Sequence, residues 1–93
     1  METFFSSHAL KRSQQRGIPL TVADYLVAYG AEQYDGHGGV IRYFDHKSLK
    51  MIKKELSQSE IRMMSDYLKC FLVEGSKDGV VITVGKRIKR VHR

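Results

Sequence analysis

Apolar and polar positions change their spacing several times along the chain, and each change marks an element. "SSHALKRSQQRGIP" opens on serines and closes on glycine and proline. A serine at Ser6 or Ser7 can accept an orphan helical N–H, and Gly17 followed by Pro19 ends the helix, so the first helix is predicted from about Ser7 to Arg16. A second is predicted after Thr21, where Val22, Tyr25, Leu26 and Tyr29 recur at helical spacing up to Gly30. Beyond Ala31 the period shortens. "AEQYD", the glycine-rich "GHGG" and "VIRYFD" read as a strand, a turn and a second strand with alternating sides, which is a hairpin.

Asp45 is placed to cap a third helix, with Leu49, Ile52 and Leu56 as its apolar stripe and Lys47, Lys50, Lys53 and Lys54 facing largely outward. "SQSE", Ser57 to Glu60, is a capping box that starts a fourth helix carrying Ile61, Met64 and Leu68 on one face. The chain then turns to two strongly apolar strands, "LKCFLVE" and "VVITVG", joined by "GSKDG". Bulky side chains on both faces of these strands place them at the centre of the sheet. Helices and strands come in blocks without regular alternation, so the expected class is α+β, with the N-terminal helices packed on one face of a small antiparallel sheet of about four strands.

Composition agrees with one domain over residues 1–93, with 86–93 as a basic C-terminal segment. At 93 residues, 42% hydrophobic and 28% charged, the chain can bury one core and no second. Its apolar runs fall short of the roughly 18 residues that cross a bilayer, and its start lacks the basic-then-apolar order of a signal peptide, so no membrane contact and a cytoplasmic location are expected. The one cysteine, Cys70, reads as a buried reduced thiol. Net charge alters the picture more: 16 Lys and Arg against 10 Asp and Glu leave +6, and "KRIKRVHR" carries five of those cations and no acid. A positive field concentrates phosphates and acidic proteins, which makes RNA or another polyanion the expected partner.

Two constellations are candidates for chemistry. With about 100° per residue, Ala9, Leu10, Ser13 and Gly17 share the packed side of the first helix, and His8, Arg12 and Arg16 form a drifting stripe beside it. At such a boundary a guanidinium is partly desolvated and binds phosphate most strongly; the plain alternative is that the arginines favour the helix C-terminus and His8 meets a backbone group. In "VVITVGKRIKR", simple alternation sets Val80, Ile82 and Val84 on one face and Val81, Thr83 and Gly85 on the other. Thr83 is then either a β-propensity residue or the neighbour of Arg87 on an open face, with Gly85 leaving room between them. His37, Asp45 and His46 lack the tight spacing of a metal site, and no cofactor motif is present. Tyr25, Tyr29, Tyr34 and Tyr43 could stack bases, although their spacing assigns most of them to core or edge.

"HALKRSQQRGI" and "VVITVGKRIKRV" resemble the two ends of a family of small bacterial proteins of unassigned function, which begins H-A-x-x-R-x-x-x-R-G-I and closes V-I-T-V-x-x-R. That family is similar in organisation to the ribonuclease folds of barnase, EndoU, colicin and RelE-type toxins. The resemblance spans nearly the whole chain, but only its ends are specific. It implies His8, Arg12, Thr83 and Arg87 as catalytic positions and Arg16 as an RNA contact; Lys86, Lys89, Arg90 and His92 of the basic segment join Arg16 on grounds of charge.

The expectation is therefore an RNA-binding domain acting as a metal-independent endoribonuclease of toxin type, held in check by an acidic antitoxin-like protein. His8 is the first choice of acid or base, with His92 or His46 in reserve, because imidazole titrates near working pH. The alternative is a non-catalytic basic module that binds nucleic acid or an acidic protein. A third reading is an accessory protein tethered by its basic tail.

Overall fold

Three of the four helices begin on the caps the sequence offers. In the computed structural model, which describes residues 3–87, α1 spans Ser7–Gln15, and Ser6 Oγ accepts the Ala9 N–H at 3.1 Å. α3, His46–Glu55, starts on a reciprocal box between Asp45 and Ser48; α4, Gln58–Met64, starts on the Ser57–Glu60 box. The exception is α2, Leu20–Tyr29, which starts one residue before Thr21 with the extended Pro19 as its N-cap, whose carbonyl accepts the Val22 N–H at 3.0 Å. After α4 a 3-10 turn, Ser65–Tyr67, leads into the sheet, so Leu68 lies beyond the helix expected to carry it.

The strands β1 (Ala31–Tyr34), β2 (Gly39–Tyr43), β3 (Cys70–Gly75) and β4 (Val81–Lys86) form one antiparallel sheet in the order β1-β2-β3-β4. β3 is interior as expected, but β4 is at the edge. Its outer backbone groups are met in part by the segment before α1: the Ser6 N–H donates to the Val81 carbonyl and the Val81 N–H to the Phe4 carbonyl, a short parallel bridge.

β4 also departs from simple alternation. Val73 pairs with Thr83 but Glu74 pairs with Val81, leaving Ile82 as an extra, unpaired residue. This β-bulge lets Val81 and Val84 both face the helices and be buried, while Ile82 stays 44% exposed. Thr83, Gly85 and Arg87 then point to the side without helices.

The core lies between the sheet and the helices, built from Ala9, Val22, Leu26, Ile52, Met64 and Leu72 among others. Cys70 belongs to it, and burial raises its thiol pKa, so it stays protonated and inert. α1 contributes only Ala9 and Ser13; Leu10 and Gly17, expected beside them, are exposed because α1 lies along the β4 edge and touches it through a narrow stripe. On the helix side of the sheet, Arg42 bonds the nearly buried Glu74, lies 3.0 Å from Glu32 and donates to the Val27 carbonyl. No helix among the described residues is long and apolar enough to cross a membrane.

Arg42→Ala leaves Glu74, only 8% exposed, without its counter-charge. The expected cost is about 3 kcal/mol, measured by urea denaturation at pH 7. At the start of α3, the bond from the Ser48 N–H holds the Asp45 carboxyl below its ordinary pKa. A depressed carboxylate contributes stability that is complete above its unfolded pKa and lost as pH falls through the folded one. Asp45→Ala is therefore expected to cost about 1 kcal/mol at pH 7. That deficit against wild type should shrink as the pH is taken below about 4, near the ordinary Asp value. Asp45→Asn, which keeps the cap, should show little deficit at pH 7.

Candidate functional site

The end of α1 determines where Arg16 points. Gly17 takes φ +62°, its N–H reaches back to the Gln14 carbonyl, and Ser13 and Ile18 exchange two bonds: Ile18 N–H to the Ser13 carbonyl at 2.9 Å and Ser13 Oγ to the Ile18 carbonyl at 2.6 Å. Only glycine enters that left-handed region without strain, so the helix ends sharply at Gln15, with Arg16 as its C-cap. The Arg16 side chain then reaches across to β4, where Nη1 donates to the Val84 carbonyl at 3.0 Å.

Gly85 makes this approach feasible. A Cβ at Gly85 would stand 2.5 Å from Arg16 Nη1 and 3.0–3.1 Å from the Phe71 ring. The bare backbone lets a guanidinium from α1 and an aromatic ring from β3 meet over the edge strand. Register carries the surface onward in two rows on the helix-free side: Gly85, Phe71, Tyr43 and Ala31 in one, and Thr83, Val73, Ile41 and Gln33 in the other. Arg87 closes it, with its guanidinium carbon 5.5 Å from the Tyr43 ring centroid, its backbone N–H on the Lys69 carbonyl, and its buried Nε–H without a partner among the described residues.

The face is electrically polarised. Of the described strand residues facing this side none is acidic, because alternation sends Glu32 and Glu74 to the helix side, where Arg42 holds them. Two carboxylates reach the open face from the hairpin turns: Asp35 lies over Gly39 and Asp78 over Gly75. Four residues of strand, roughly 13 Å, separate that end from the Arg16–Arg87 end. Both carboxylates are engaged in their own turns, Asp35 accepting from His37 and Gly39 and Asp78 from Val80. The first two of those bonds, led by the His37 N–H, hold the Asp35 carboxyl below its ordinary pKa.

α1 and β4 run alongside in the same direction, with Ser6 Oγ on the Ile82 carbonyl at 3.1 Å and Arg16 on Val84. His8 and Arg12 lie between those ties on the exposed flank of the seam. Arg12 Nε donates to His8 Nε2 at 3.3 Å. A guanidinium can only donate, so this bond requires Nε2 to carry the imidazole lone pair. The fold thus brings Arg16, Thr83 and Arg87 to one face, and His8 and Arg12 continue the helical stripe of Arg16 toward the start of α1.

Other candidate positions do not join them. Lys86 alternates to the helix side, pairing with Cys70 and lying 5.6 Å from the Tyr67 ring centroid. His46 sits exposed at the start of α3, and His37 is in the β1–β2 turn. Lys89, Arg90 and His92 lie outside the described residues. Tyr25 and Tyr29 are half-buried, with hydroxyls on Glu60 at 2.9 Å and Glu55 at 3.4 Å; Tyr34 is exposed on the helix side of β1. Phe71 belongs to the surface and was not singled out by sequence, since within an all-apolar strand nothing distinguishes a core ring from one on the open face.

Gly85→Ala is expected to displace Arg16 from the Val84 carbonyl and press on Phe71. The protein should still fold, with a melting temperature lowered by a few degrees, corresponding to about 1 kcal/mol of overpacking; thermal unfolding followed by circular dichroism measures it.

Comparison with family models, curated proteins and solved structures found no match to the chain.

Proposed function

We propose that this protein is an RNA-binding domain that acts as a metal-independent endoribonuclease. The observation that carries the reading is the convergence of Arg16, Thr83 and Arg87 on one helix-free sheet face beside the His8–Arg12 pair, in a chain of net charge +6.

RNA cleavage without metal needs a base for the 2′-OH, donors for the charge that builds on phosphorus, and a proton for the 5′ leaving oxygen. His8 Nε2 is the base. It takes the 2′-OH proton, the 2′ oxygen bonds to phosphorus, and the P–O5′ bond breaks to leave a 2′,3′-cyclic phosphate and a 5′-hydroxyl. Arg12, already beside that nitrogen, holds the scissile phosphate together with the Thr83 hydroxyl. Arg16 is eight residues from His8, about 12 Å of helix. Arg16 and Arg87 therefore bind neighbouring phosphates of a backbone that tracks the α1–β4 seam. The proton for the leaving oxygen comes from the imidazolium formed in the first transfer.

The Arg12–His8 hydrogen bond also favours a second reading, because a lone pair engaged by a guanidinium does not accept a proton until that bond opens. In that reading the same surface binds RNA, or an acidic protein of antitoxin type, without chemistry.

Purified protein incubated with end-labelled RNA in EDTA separates the two. The nuclease reading expects products ending in 2′,3′-cyclic phosphate, with cleavage reduced about a hundredfold or more by His8→Ala, and by a similar factor in Arg12→Ala. No cleavage, or equal cleavage by wild type and both variants, selects the binding module. For either RNA reading, Arg16→Ala and Arg87→Ala should each flatten the slope of log affinity against log salt by about 0.7.

A further inference from the structure

We infer that the open sheet face is a stacking platform for an unpaired nucleotide, with its base on the Phe71 ring and the flanking phosphates on Arg16 and Arg87, so that the protein selects single-stranded RNA. This rests on the RNA reading above and specifies the form of RNA that the surface takes.

The argument begins with the order of groups across the sheet. From the β4 edge inward they run Arg16, Phe71, then Tyr43 with Arg87 above it: a cation, an aromatic ring, and a second ring already carrying a cation. Gly85 to Tyr43 spans two inter-strand steps, roughly 10 Å. Phe71 is half-buried, its ring edge supported on Gly85, and no helix among the described residues packs on its side of the sheet. Val73, Ile41 and Thr83 in the next row extend an apolar floor. A surface both apolar and flanked by cations suits a ligand with flat apolar faces and anionic linkers, which is the chemistry of an unpaired polynucleotide.

Charge decides the occupant. An apolar peptide would leave the Arg16 and Arg87 guanidinium charges uncompensated, whereas backbone phosphates balance both. The opposite end of the face, where Asp35 and Asp78 lie, repels a backbone phosphate and confines the strand to the Phe71 end. A duplex fits poorly, since its bases are stacked on one another and expose no ring face for Phe71.

The test uses the whole protein and a fluorescein-labelled 12-mer RNA carrying 2′-O-methyl groups throughout, which cannot be cleaved through the 2′-OH. Anisotropy is read for the single strand and for its duplex. The single strand is expected to bind at least tenfold more tightly than the duplex, and Phe71→Leu to weaken the single strand about tenfold while leaving the duplex unchanged. Because the chain contains no tryptophan, Phe71→Trp supplies a unique emission at the platform. It should be quenched by the unlabelled single strand and not by inorganic phosphate. This second variant also decides the matter if Phe71→Leu fails to fold. Equal binding of strand and duplex, wild-type affinity in Phe71→Leu, or unquenched emission overturns the platform while the cleavage assay still stands. Platform behaviour without cleavage overturns the nuclease and keeps the platform. No binding of either RNA removes both.

Discussion

The seam between α1 and the sheet depends on one extra residue in an edge strand. Ile82 bulges out of β4 between Val81 and Thr83, so Val81 joins Val84 on the buried side while Thr83, Gly85 and Arg87 keep the other by alternation. The same irregularity leaves the Val81 and Ile82 carbonyls free at the edge, where Ser6 bonds both through its backbone and its hydroxyl. Ser6 is in turn the N-cap of α1. A strand defect, a helix start and the placement of the arginine stripe are thus one structural unit, and a bulge beside a functional surface is where such irregularities concentrate.

Charge is sorted by the pleat. Successive strand residues face opposite sides, so Glu32 and Glu74 fall with Arg42 on the helix side, in a network where each charge has a partner. The nearly buried Glu74 is tolerable only because Arg42 is hydrogen-bonded to it. Removal of these carboxylates from the open face leaves Arg16 and Arg87, among the described residues, as its charges at one end. The turn aspartates hold the other end through their own backbone bonds. A directional field across a small apolar surface follows from strand parity and turn chemistry together.

Much of the architecture was legible in the chain. Local chemistry specifies the caps at Ser6, Asp45 and Ser57, the stops at Gly17 and Gly30, and the two hairpins, and these involve residues within a few positions of one another. Block order specifies the α+β class. The neighbour each element finds is not legible in this way: β4 is an edge strand although its sequence is apolar on both faces, and the chain's own Phe4–Ser6 segment meets its outer backbone groups. The spacing of Leu10 predicts a packed position, but α1 lies along an edge and leaves it exposed.

For the site, the sequence by itself determined the residue types and the helical stripe of His8, Arg12 and Arg16, since a period of 3.6 is a local property. It also determined that Thr83 and Arg87 share a face, their spacing in the strand being even and the bulge falling before both. Only the tertiary structure decided that Gly85 admits Arg16 beside Phe71, that Arg87 crosses to Tyr43, and that Lys86 is turned away toward Tyr67. Those contacts join residues up to 69 positions apart in sequence (Arg16 to Gly85), and no local spacing encodes them. They arise when the core on one side of the sheet brings α1 to the β4 edge and leaves the other side open.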